Sequence, residues 1–303
     1  MKTTSIINLK SLSSLMLAFV LILGSCNKSD EVTFSTQDNQ SVNNDAALES
    51  SQEETVDMAS SVLNSADAIS GRVEDDSRVS CAYILKEVGQ DKTAGTIVVN
   101  FDKTAAGADN PAGCTDPRGN VRKGSFTITW SGGRWFLSGS TQTITFNNYS
   151  INGLVISGSR TITNVSTQES PLTWNISGTL TTTWPDKTTA TRTVSRTKKW
   201  VRSTTIADDK VVISQTAGAA AAASGTNRYG KSYSVKITTP LEYSTSCLLT
   251  NKVYIPIKGV KEITTDTKVY TVDFGTGTCD NTYTVTLNGK SKEFTAKNDS
   301  SND

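Results

Sequence analysis

Near the C-terminus the chain reads DFGTGTCDN, residues 273–281, and its residue types fit three different chemistries. Asp273-Phe274-Gly275 has the form of a kinase magnesium triplet. That chemistry also needs a glycine-rich loop, a strand lysine paired with a glutamate, and a catalytic-loop Asp and Asn upstream. None precedes the triplet in order, so Phe274 is expected as a core residue of an alternating strand. Calcium is the second chemistry, since Asp102, Asp109, Asp116, Asp273 and Asp280 fall in two glycine-containing loops and hard cations take carboxylates. The loops match neither the EF-hand pattern nor a dense aspartate ladder. Aspartate beside Gly and Asn in a turn more often caps its own backbone. No metal ligand set is assigned.

Disulfide chemistry is the third. Besides Cys26 the chain has Cys81, Cys114, Cys247 and Cys279, and four cysteines allow three pairings. The first pair is 33 residues apart and the last pair 32, in matching contexts. Each first cysteine precedes a strand, then a second strand (IVVNFD, YTVDFG), then a Gly turn and a cysteine in AGCTDPRG or TGTCDNTY. The spacing predicts bonds Cys81–Cys114 and Cys247–Cys279 inside two related units, about 79–128 and 245–296. C-x₂-C metal spacing is missing.

Histidine is absent, which removes the commonest general base, the usual zinc ligand and every Ser-His or Cys-His pair. Seventeen acidic residues follow position 76, enough for some pair to meet glycosidase spacing by chance. Nothing marks a particular pair, so no catalytic residue and no cofactor is assigned. A more specific cluster is SRTKKWVR. Strand alternation puts Arg196, Lys198, Trp200 and Arg202 on one face, a candidate binding surface for anionic glycan or a headgroup. Trp130, Trp135, Trp174 and Trp184 complete the tryptophans; at least three of the five are expected in the core.

The elements that must position these residues are mostly strands. From Val79 onward, Thr, Val, Ile and aromatics alternate with polar residues, and turn signals recur about every 8–12 residues. Period two without intervening helical periodicity gives an all-β class: a long antiparallel meander, sandwich-like, over 79–303. TAGAAAAASGTNRYG, residues 216–230, interrupts the pattern and reads as a helical turn or loop. Upstream, residues 45–78 form an acidic segment whose apolar spacing predicts one short helix, with Asp45 as its N-cap and Gly71 as its stop. Residues 26–44 read as a disordered tether. Residues 27–76 hold 12 acidic against two basic residues, net −10, while the rest holds 26 basic against 17 acidic, net +9. That imbalance suits a solvated spacer or a segment lying against the body; the first is the simpler expectation.

The N-terminus carries Lys2 and Lys10, an apolar run over 12–23, and then Leu23-Gly24-Ser25-Cys26. This pattern resembles the signal and lipobox of bacterial lipoproteins, with residues 1–25 as the signal peptide and Cys26 as the lipidated first residue. The following NKSDE resembles the surface-export signal of Bacteroidota lipoproteins. AGCTDPRGNVRKGSFTITWSGG, TITFNNYSINGLVISGSRTITN and DFGTGTCDNTYTVTLNGK are similar to motifs of Bacteroidota envelope lipoproteins over nearly the whole mature chain. The resemblance implies an outer-membrane lipoprotein, on the cell surface or otherwise facing the periplasm, held to the membrane by its lipid. It transfers no catalytic residue. The expected role is a non-catalytic structural or binding module for glycan or envelope protein, with a glycan-active enzyme using paired carboxylates as the alternative. A mature charge near zero and an export signal argue against nucleic acid.

Overall fold

The computed structural model describes residues 34–66, 76–89, 93–117, 119–167, 171–251, 253–266 and 268–296. The signal segment, Cys26 and Gly71 lie outside them. Contacts divide the chain into residues Met1–Ser35 and a second unit, Thr36–Asp303, which holds every element described below.

Among the described residues one α-helix, α1 (Thr36–Ala66), and a single 3₁₀ turn, Ser77–Val79, precede fifteen strands. In chain order these are β1 (Tyr83–Val88), β2 (Gly95–Asn100), β3 (Cys114–Thr115), β4 (Val121–Ser131), β5 (Thr141–Ile151), β6 (Leu154–Asn164), β7 (Leu172–Thr183) and β8 (Thr189–Val201). They continue with β9 (Lys210–Gln215), β10 (Ala223–Thr226), β11 (Ser232–Ser244), β12 (Lys258–Thr265), β13 (Lys268–Thr276), β14 (Thr282–Leu287) and β15 (Lys290–Thr295). All belong to a single antiparallel sheet in the order β1-β2-β4-β5-β6-β7-β8-β10-β11-β12-β13-β14-β15. β3 pairs with β4, and β9 fills the gap between β8 and β11 beyond the end of β10. The meander predicted from period-two alternation is therefore present. The layer opposite its buried face is α1 rather than a second sheet.

Alternation decides which side chains line that face. On β4 the inward row is Arg122, Phe126, Ile128 and Trp130; on β8 it is Ala190, Arg192, Val194 and Arg196. The outward residues of β8, such as Thr191 and Thr193, pair with hydroxyls across neighbouring strands. The sheet curls around the helix. Residues 45–53 of α1 contact strands from β6 to β12, five strand spacings, about 24 Å in a flat sheet. Inward residues are buried from Ile97 on β2 to Val285 on β14 and from Arg122 to Trp130 along β4, about 48 by 27 Å if flat. A helix about 10–12 Å wide covers such a face only if the sheet curves around it. Interior glycines help the bend. Gly158 on β6 and Gly178 on β7 have φ of 104° and 128°. A Cβ on either would stand 2.3 or 2.4 Å from the carbonyl oxygen of Thr179 or Ser159, so no side chain fits.

Three sequence expectations need correction. The helix starts at Thr36 rather than at Asp45, so the last part of the expected tether is helical and Asp45 is interior to α1. Its start was obscured because few apolar residues mark it: Asp38 is buried there by a lysine and a tyrosine rather than by apolar packing. The acidic segment is also no solvated spacer, since residues along it are buried against the sheet. Finally, the alanine-rich stretch supplies strand β10, with Ala222 and Ala223 buried. Small side chains are required there, because a Cβ on Gly225 would lie 2.0 Å from the Thr191 carbonyl oxygen.

The two cysteine-bounded segments have the same order of parts. Cys81 precedes β1 and β2 and bonds Cys114 ahead of β4; Cys247 precedes β12 and β13 and bonds Cys279 ahead of β14. In each trio the strands are antiparallel neighbours. Val99 and Phe101 are buried in one, Val272 and Phe274 in the other. Phe274 packs on Tyr283, with ring centroids 5.7 Å apart, so the kinase-like triplet contributes a core side chain.

Candidate functional site

The densest chemistry lies between α1 and the concave face. Going along the helix, Asp38 accepts from Lys268 Nζ at 2.5 Å and from the Tyr270 hydroxyl at 2.7 Å. Asp45 pairs with Arg192 and, at 2.9 Å, with Lys261. Glu49 lies 2.6 Å from Lys261 and 2.8 Å from Arg196. Gln52 donates to Thr182 at 3.2 Å and accepts from Arg160 at 3.4 Å. Glu53 lies 3.3 Å from Arg160 and 3.6 Å from Arg196, and Glu54 accepts from Arg122 at 2.7 Å. Helical periodicity puts these acids on the buried side of α1. The period-two pleat puts their cations on the inward face of β4, β6, β8, β12 and β13.

Apolar contacts fill in around the ladder. Leu48 packs with Trp184, Ala190 and Leu154, and Val56, Met58, Ala59, Val62 and Leu63 are buried toward the C-terminal end of α1. Arg122, Arg160 and Arg192 have no exposed surface, an unusual place for cations unless they are paired. Burial raises the Asp45 and Glu49 carboxyls, but the nearby cations outweigh it. Lys261 and Arg192 leave Asp45 below its ordinary value, and Lys261, Arg196 and Arg192 leave Glu49 well below. Asp116 is also lowered: the Asn120 backbone N–H and the Arg122 guanidinium outweigh its burial. Arg160 goes the other way for a cation. Burial lowers it, Glu53 only partly compensates, and Arg196 and Arg192 repel it, so it ends below its ordinary value.

The sequence-predicted binding face does not form one exposed surface. Alternation holds for Arg196, Lys198 and Trp200, but their side of β8 is the concave one. Arg196 is buried beneath Glu49, and Lys198 is half-buried. Arg202 lies past the end of β8, exposed, with its guanidinium 5.3 Å from the Trp200 ring centroid. Trp200 stacks on Trp135 at 6.3 Å, and Trp135 stacks on Trp174 at 5.6 Å. These ring faces are spent on one another. Trp130, Trp174 and Trp184 are buried, as core residues of a wide sheet should be.

The five aspartates weighed for calcium have other work. Asp102 accepts from the Gly124 N–H, Asp273 from Gly275 and Asp280 from Thr282. Asp109 lies 3.2 Å from Lys103, and Asp116 accepts from Arg122 and Asn120. The arginines at 122, 160 and 192 were missed by sequence reasoning, because a charged residue in an alternating strand reads as solvent-facing. The one signal for them was global: net −10 in the leader against +9 in the body. Comparison with protein-family models, with curated proteins and with solved structures returned no match.

Proposed function

We propose that the chain is an envelope lipoprotein, anchored through Cys26 at the outer membrane and displayed on the cell surface, that works as a non-catalytic binding module for protein or glycan. The observation that supports this reading most is the state of the buried carboxylates. Among the described residues Asp38, Asp45, Asp116 and Asp209 are all buried, and each is engaged by a cation, an N–H or a hydroxyl. Glycoside cleavage needs a carboxyl held protonated by a raised pKa; Asp45, Glu49 and Asp116 are shifted the opposite way. Two small cavities, one beside Leu63 and Trp135 and one beside Asp45 and Tyr233, are about 10 Å³ each, room for about one water. Neither of these two cavities could hold a sugar, so this reading puts the ligand on the surface of the body.

The anchor fits a display role. Nine residues lie between Cys26 and Thr36, a reach of at most about 35 Å. The test is a glycan array and a defined-partner binding screen on the chain from residue 27 onward, with hydrolysis of the same glycans followed in parallel. Saturable binding without turnover is the expected result. Turnover, or no ligand in either screen, overturns the reading. Lipidation is tested separately: Cys26→Ala is expected to leave the membrane fraction, and its retention there would sink the anchor.

A further inference from the structure

The concave face is better supplied with donors than α1 is with acceptors. Arg160 Nε, Arg192 Nε and Nη2, and Arg196 Nε and Nη1 are buried without a hydrogen-bond partner. Glu49 Oε1 comes within 2.8 Å of Arg196 Nη1 yet is not aligned to accept from it. Four cations of this cluster, Arg160, Arg192, Arg196 and Lys261, face three helix acids, Asp45, Glu49 and Glu53. Between those acids the helix presents the neutral Gln52, whose Oε1 is 3.4 Å from Arg160. A buried donor without an acceptor carries an unrecovered desolvation penalty. An occupant with one more carboxylate at the position of Gln52 would recover part of it.

The way α1 is held also makes it replaceable. Ion pairs in a groove repay their desolvation only in part, and both partners regain water when the groove opens. α1 is seated by apolar residues, Leu48, Val56, Met58 and Leu63 among them, as well as by the ladder, and the ladder is the part that a helix of better-matched charge can improve on. The groove already accepts a 31-residue helix, and helix-in-groove recognition reads anchors at i, i+3, i+4 and i+7.

We propose that the concave face is a docking groove for an acidic amphipathic helix of a partner protein, and that α1 is its resident occupant until that partner arrives. This rests on the binding-module reading and names its site. The partner repeats the chemistry of α1: acids spaced as Asp38, Asp45, Glu49 and Glu53, apolar residues spaced as Leu48, Val56, Ala59 and Leu63, and an added acid where α1 has Gln52. Charge complementarity selects it, because the extra carboxylate answers guanidinium N–H groups that make no hydrogen bond to α1, the Nε of Arg160, Arg192 and Arg196 among them. Arg192 Nη2 and Arg196 Nη1 have only ion pairs with Glu49 and Glu53. Tethering gives α1 an effective concentration of order millimolar, so the added charge is what lets a free helix compete.

The experiment uses a fluorescent peptide with the sequence of residues 36–66 carrying Gln52→Glu, and a scrambled peptide of the same composition. Binding is read by anisotropy on the native chain, on Glu49→Gln, which loosens the tethered helix, and on Arg192→Gln, which removes a groove cation. The expected result is saturable binding that is about tenfold tighter on Glu49→Gln than on the native chain. Arg192→Gln is expected to weaken it about tenfold, and the scrambled peptide should not saturate. If Glu49→Gln fails to fold by circular dichroism, Asp38→Asn serves as the loosened chain. Equal binding of the scrambled peptide, or none to a folded loosened chain, overturns the proposal. So does concentration-dependent dimerisation of the loosened chain, which would assign the groove to a second copy. A ligand held equally by the native chain and Arg192→Gln would overturn the groove yet leave the binding-module reading standing.

Discussion

Lys261 reaches Glu49 across 212 residues of sequence, with its ammonium 2.6 Å from the carboxylate and both groups largely out of water. The same ammonium is 2.9 Å from Asp45. One side chain on β12 thus neutralises two acids on successive turns of α1. Removing it leaves the two buried carboxylates to Arg192 and Arg196 alone, with one positive charge fewer in the cluster. Lys261→Met is expected to destabilise the chain by about 3–5 kcal/mol, read as a fall in the urea midpoint without a change in slope. A shift below about 1 kcal/mol would mean that the ladder is solvated in solution.

Acid should loosen the helix in a defined window. Asp45, Glu49 and Asp116 have folded-state pKa values below their ordinary 3.8, 4.5 and 3.8. Groups depressed on folding add stability that is fully present above the unfolded values and lost as pH falls through the folded ones. Melting temperature is therefore expected to hold from pH 7 to about pH 5 and to decline below about pH 4.5. Glu49→Gln should flatten that decline. An identical slope in the variant would remove Glu49 from the account.

The glycine pair tests the bend of the sheet. Gly158 is at φ 104°, and an added Cβ would meet the Thr179 carbonyl oxygen at 2.3 Å. Backbone strain and the clash act together, so Gly158→Ala is expected to destabilise by about 2 kcal/mol or more. Gly119→Ala is the control: its φ is 85°, but nothing lies within 4 Å of its Cβ. It should lose only about 1 kcal/mol.

Much of this architecture is legible in the sequence, and the part that is not has a physical cause. Strands such as SFTITW and TYTVTLNG were readable because their apolar residues alternate against a packed face. The disulfides were readable because equal spacing and equal context mark the two segments. The partnership of α1 with the sheet was hidden. Thr-Ala-Thr-Arg-Thr-Val-Ser-Arg, residues 189–196, looks like a strand with arginines outward. Its threonines face out instead, and Ala190, Arg192, Val194 and Arg196 face in. Pattern alone cannot say which parity is buried when the buried face is charged. The decisive information sits more than a hundred residues away, in the acids of α1.

The two disulfides close loops of nearly equal length, 33 and 32 residues, but fasten different neighbourhoods. Cys81–Cys114 ties the approach to β1 to the start of β3, close to the Asp116–Arg122–Glu54 branch of the ladder. Cys247–Cys279 sits in a small cluster with Val253, Ile255 and Ile257. By loop entropy alone each bond is worth about 2–4 kcal/mol, so Cys81→Ala/Cys114→Ala and Cys247→Ala/Cys279→Ala should lose similar amounts. Their effects on α1 should differ. Only the first pair anchors the strand register beside Arg122, so only its removal is expected to raise amide exchange around Glu54. Hydrogen exchange on the two double variants decides it. Equal protection around Glu54 in both would show that the ladder holds α1 without help from the nearby bond.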